Sequence, residues 1–112
     1  MTSKSPGELL VRYFHEKKTA KEPIIINDIF NICKELSEKD IYFQIDFKYP
    51  GNVPQSSVIE NELWSLYSGG LVEREKDQTY SITEDGNKLA KRFISRDDSE
   101  LFQKAIRKCC SS

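Results

Sequence analysis

No apolar run in this chain exceeds three residues, as in Ile24-Ile25-Ile26, so no segment is long enough to span a bilayer. Histidine is nearly absent: His15 stands alone beside Phe14, with no cysteine or serine motif near it. Cysteine is scarce and odd in number. Cys33, Cys109 and Cys110 lack ligand spacing, so no metal site is expected, and neighbouring cysteines rarely bridge each other. That usage fits a reducing, cytoplasmic setting. The opening Met1-Thr-Ser-Lys-Ser-Pro has no apolar stretch behind its lysine, so no signal peptide is expected. The five glycines fall at turn and cap positions and frame no phosphate loop or dinucleotide fingerprint, so no cofactor is expected. No Gly-x-Ser-x-Gly surrounds Ser56 or Ser57. Without a positioned acid, base or ligand set, the chain reads as a non-enzyme. Neither sign of charge dominates: 17 Lys+Arg face 18 Asp+Glu, which removes bulk attraction to nucleic acid.

What is present is an ordered, highly charged composition. The chain has 112 residues, 38% hydrophobic, 31% charged and 11% aromatic, as expected of one domain over 1–112. Ser5-Pro6-Gly7-Glu8 is a helix start, and Leu9, Leu10, Tyr13 and Phe14 make an apolar stripe to about Lys17. The polar stretch from Lys17 to Pro23 reads as a loop. Ile24-Ile25-Ile26 is β-branched and reads as a strand or extended lead-in. Asn27 then offers a cap for a helix with Ile29, Ile32, Cys33 and Leu36 inward, which makes Cys33 a buried structural thiol. From Ile41 to Tyr49 apolar and polar residues alternate, predicting a nine-residue half-buried strand that Pro50-Gly51-Asn52 ends.

A third helix starts near Ser56 or Ser57, with Glu60 placed for a capping box. Ile59, Leu63, Leu66 and Tyr67 form its inner stripe, and Gly69-Gly70 stops it. The runs Leu71–Lys76 and Thr79–Ile82 make a hairpin around Asp77-Gln78. Thr83 caps a fourth helix carrying Leu89, Ala90, Phe93 and Ile94. A last helix, within 97–112, starts at Asp97-Asp98-Ser99-Glu100 and carries Leu101, Phe102, Ala105, Ile106 and Cys109.

Two segments carry a family resemblance: Ile59-x3-Leu63-x2-Leu66-x3-Gly70-Leu71-Val72, and Tyr80-Ser81-Ile82-Thr83-Glu84-Asp85-Gly86. Together, over about 56–94, they resemble the winged helix-turn-helix superfamily. The connection before the third helix is longer than in a tight helix-turn-helix. Phe47 to Ser56 is similar to an aromatic, Tyr-Gly-Pro and Ser/Thr element of some winged-helix-like bacterial and phage-associated proteins. The resemblance implies an α+β fold with a three-helix core, an extra strand before the third helix, a β-hairpin wing and one or two C-terminal helices. Gly70 would reverse the chain, and Gly86 would let the fourth helix approach the wing closely.

The function that the resemblance implies is that of a small regulator binding double-stranded DNA, with an added terminal helix pairing two copies. Candidates for contact with nucleic acid are Lys48, Gln55, Ser56, Ser57, Asn61, Arg74, Lys76, Lys88 and Arg92. In strand geometry Arg74 and Lys76 would share one face, and Glu73 and Glu75 the other. Lys88, Arg92 and Arg96 recur every fourth residue, as a phosphate-facing stripe or an ordinary solvated face. The third helix carries Glu60 and Glu62 and no Lys or Arg. That acidity favours an alternative, a protein-interaction module facing a basic protein partner, with Trp64 or Tyr67 as anchor. For Trp64 the first reading is core packing, with the anchor role as the alternative. Leu101, Phe102, Ala105 and Ile106 either form a homodimer seam or pack back on the first helix of the same chain.

Overall fold

A computed structural model describes residues 2–43, 45–48, 54–94 and 99–109. Helix α1 (Pro6–Lys17) is the central element, and the three later helices, over 57–68, 84–94 and 99–109, all pack on it. Ser5 caps it, its hydroxyl accepting the Gly7 N–H at 3.2 Å, while Pro6 sits where a missing N–H costs nothing. Leu9, Leu10, Tyr13 and Phe14 are fully buried, as their one-turn spacing requires.

The expected loop after α1 contains a short strand, β2 (Thr19–Lys21), and the expected strand Ile24–Ile26 lies inside helix α2 (Glu22–Ser37). Burial decides the second point. As a helix, this segment buries Ile25, Ile26, Ile29, Ile32 and Leu36 on one face, which outweighs a modest β preference. Asn27 is therefore an interior residue, and Lys21 is the N-cap, without a side-chain bond. The hairpin supplies what the cap does not: the Glu22 N–H donates to the Gln78 carbonyl at 3.0 Å.

Regular pairing after α2 is shorter than expected. Strand β3 covers only Ile41–Phe43 and pairs in parallel with β1 (Thr2–Lys4). Alternation nevertheless persists beyond it. Phe43, Ile45 and Phe47 face inward while Asp46 and Lys48 face out, and Phe47 meets Phe30 edge-on at 5.1 Å. The expected Pro50-Gly51-Asn52 stop lies outside the described residues.

Helix α3 (Ser57–Ser68) is capped by Ser56, whose hydroxyl accepts the Ile59 N–H at 3.3 Å. The start falls at Ser56 and Ser57 as expected, but with Ser56 as the cap Glu60 lies one residue past the capping-box position. At the other end the Gly70 N–H reaches the Tyr67 carbonyl at 3.1 Å and the Leu71 N–H the Leu66 carbonyl at 2.9 Å. That pair is a Schellman motif, and Gly70 has the positive φ of 75° it demands.

Strands β4 (Val72–Arg74) and β5 (Thr79–Ile82) form the hairpin. Its turn centres on Lys76-Asp77, not Asp77-Gln78: the Gln78 N–H donates to the Glu75 carbonyl, and Gln78 follows at φ 67°. β2 adds to the far side of β5, giving an antiparallel sheet ordered β2-β5-β4. Helix α4 (Glu84–Ile94) starts as expected, with the Thr83 hydroxyl accepting the Gly86 N–H at 3.1 Å. Gly86 is needed there. A Cβ would lie 2.2 Å from the Leu71 carbonyl oxygen and 2.7 Å from Ile82. Helix α5 (Ser99–Cys109) closes the molecule over α1 and α2. The architecture is mixed α+β, with five helices and a three-stranded antiparallel sheet among the described residues. No helix among them is long and apolar enough to cross a membrane.

Candidate functional site

Ile59, Leu63 and Leu66 fill the inward stripe of α3, so its rotation of about 100° per residue turns Glu60, Trp64 and Tyr67 outward. Trp64 is 54% exposed and Tyr67 42% exposed, which overturns core packing for Trp64 and the inner-stripe placement of Tyr67. Their rings lie 5.5 Å apart. Arg74 of β4, paired across the hairpin with Tyr80, brings its guanidinium to 5.7 Å from the Trp64 ring and 5.9 Å from the Tyr80 ring. The Arg74 Nε–H donates to the Tyr80 hydroxyl at 3.1 Å. Glu22, at the start of α2, belongs to the same neighbourhood. Burial pushes its carboxyl pKa up and the Glu60 charge adds to that rise, while Arg74 pulls it down.

Of the residues proposed for nucleic-acid contact, Lys48, Gln55, Ser56 and Ser57 lie together around one cavity. Lys48 and Gln55 face each other in an isolated antiparallel bridge, beside a cavity of about 290 Å³ that Asp46, Ser56, Ser57 and Glu60 also line. Ser56 is buried and its hydroxyl is occupied in capping, so it is a structural residue. Ser57 and Asn61 are exposed on α3. Arg74 is held by Tyr80 and Trp64, and Lys76 lies past the end of β4 in the turn, so the expected shared strand face ends at Arg74. Lys88 and Arg92 are exposed on α4, which packs on α1, and Lys88 pairs with Glu84 at 3.8 Å. Arg96 lies outside the described residues.

The last helix takes the intrachain placement. Phe102, Ala105 and Ile106 are each 1% exposed and Leu101 is half-buried, so the expected dimer seam is covered by the chain's own α1 and α2. Two charged residues that periodicity did not single out explain part of this. Arg12 of α1 is buried, donates to the Phe93 carbonyl at 2.7 Å, sits 4.0 Å over the Phe102 ring and pairs with Glu8 at 3.7 Å. Asp28 is likewise buried, accepting from the Tyr13 hydroxyl at 2.6 Å and from Lys17 at 3.3 Å. Their only sequence signal was a charge beside the apolar stripe.

Cys33 and His15 are half-buried within the fold. Burial pushes the Cys33 thiol up to about 12, as suits a structural cysteine. His15 Nδ1 lies 3.1 Å from the Asn87 side chain, tying α1 to α4. No cluster of three or more His, Cys, Asp or Glu among the described residues could hold a metal ion. No protein-family model, curated protein or solved structure matches this chain.

Proposed function

We propose that this chain is a winged-helix binding module, not an enzyme, whose third helix docks a basic protein partner. The fold reading is supported by the order of three helices, hairpin and fourth helix, and by the Gly70 reversal, Thr83 cap and Gly86 contact. The observation that carries the function is the exposed Trp64–Tyr67 pair on a helix with two acids and no cation. Large aromatic side chains exposed together are anchors for a partner surface, and carboxylates beside them select a positive one. A duplex phosphate backbone meets repulsion from Glu60 on the same face.

Duplex binding is the second reading, favoured by the exposed Lys88, Lys91 and Arg92 of α4. One cross-linking experiment separates the two. With a photoreactive phenylalanine analogue at position 67, irradiation of the native extract gives adducts to one basic protein under the docking reading. Adducts to nucleic acid, together with salt-sensitive binding of a purified duplex, replace it with the DNA reading. Glu60→Gln strengthens duplex binding under the DNA reading and weakens partner capture under the docking reading.

A further inference from the structure

This inference rests on the docking reading and concerns how the face is occupied when no partner is bound. We infer that Arg74 sits, within its own chain, in the seat that a partner's arginine takes on Trp64, and so competes with that partner. A guanidinium is already placed there, 5.7 Å from the Trp64 ring and 5.9 Å from that of Tyr80, inside the range of cation–π attraction. Trp64 still presents about half of its surface to solvent, so the ring has room for exchange. The contact with Trp64 is exposed and therefore weak, and a partner's guanidinium entering the seat takes the place of Arg74 at the Tyr80 hydroxyl as well.

The surroundings select a guanidinium-bearing, basic segment. Glu60 lies one helical turn before Trp64, and Glu22 interacts electrostatically with both Glu60 and Arg74. A cavity of about 170 Å³ between the first turns of α2 and α3 continues from these acids, with Glu22, Glu60 and Gln55 as polar lining and Pro23, Ile26 and Pro54 as apolar lining. Both carboxylates line that cavity, and one of them, Glu60, is a single helical turn from Trp64. Arginine suits this setting better than lysine because its planar group both stacks on rings and forks onto carboxylates.

The chain contains one tryptophan, so Trp64 emission reports on the seat directly. The probe is a tetra-arginine peptide titrated at low salt, with tetra-lysine as comparison. We expect the arginine peptide to perturb Trp64 emission more strongly than lysine. Arg74→Gln should bind it about two- to fivefold tighter, the range expected from losing one exposed competitor. Arg74→Lys, which keeps the charge, should tighten binding in the same direction, and Glu60→Gln should weaken it. Lys76→Gln removes an exposed cation that no aromatic ring holds, and should change affinity little. If Lys76→Gln tightens binding as much as Arg74→Gln, net charge is the cause and the competition is rejected. If wild type binds and both Arg74 variants bind no tighter, the competition is likewise rejected while docking stands. Silence from wild type and both variants toward both peptides overturns docking as well.

Discussion

Among the described residues, Arg12 and Arg74 both lie against aromatic rings, and their surroundings make them opposites. Arg12 is 3% exposed, enclosed by Phe102, Phe93 and Glu8 at the junction of α1, α4 and α5. Arg74 is exposed on an edge strand, against Trp64 and Tyr80. The chemical pairing is the same, but water sets its strength. A desolvated cation–π contact is worth about 2 kcal/mol or more, and an exposed one about 0.5–1 kcal/mol. Arg12 therefore fastens the last helix to the first, whereas Arg74 can leave its ring. Stability and binding are assigned to the two sites by burial.

The largest effect expected from breaking this contrast is at Arg12. Arg12→Met leaves Glu8 buried without its cation and removes the bond to the Phe93 carbonyl, and should cost about 3–5 kcal/mol in urea unfolding. Glu8→Leu combined with Arg12→Met should recover most of that loss, because a matched apolar pair avoids the stranded charge. A double variant as unstable as the single one would show that the Phe93 bond, not the ion pair, is the fastening.

Next in size is the junction of α4 with the hairpin. Gly86→Ala forces a methyl group against the Leu71 carbonyl and Ile82, and should cost about 1–3 kcal/mol by thermal melting. It should leave Trp64 emission unchanged, keeping the fold and binding sites separate.

A further effect is confined to alkaline pH. Burial raises the folded Cys33 value to about 12, against about 8.5 for a free thiol. The folded state therefore holds its proton more tightly than the unfolded state. Stability from this group is complete below the unfolded value and is lost as pH climbs toward the folded one. Cys33→Val should flatten the alkaline fall in urea midpoints relative to wild type, and native Cys33 should resist alkylation at mildly alkaline pH.

The smallest effect on stability is expected at the exposed arginine. Arg74→Gln should change unfolding free energy by about 1 kcal/mol or less while still altering Trp64 emission. A loss as large as that of Arg12→Met would show that Arg74 is a structural fastening too, and would end the contrast.

Local sequence determined the parts of this fold that need only neighbours along the chain. Ser5, Gly70 and Thr83 punctuate helices through bonds within a few residues, so their roles are legible from residue type and spacing. The stripe of α1 is legible for the same reason, and so is that of α3 apart from Tyr67, since one side of a helix must be dry. Tertiary structure decided the rest. Ile24–Ile26 became helical because that shape aligns Ile25 and Ile26 with Ile29, Ile32 and Leu36 on the buried side, and β2 exists only because β5 offers an unpaired edge. Trp64 lies beside an inner stripe on which Ile59, Leu63 and Leu66 are already sufficient, so spacing alone did not say whether the core would take it. The last helix, amphipathic in sequence, found its cover within its own chain because α1 and α2 presented a matching face with Arg12 set in it. A pattern along the chain says which face must be covered; only the packed chain says by what.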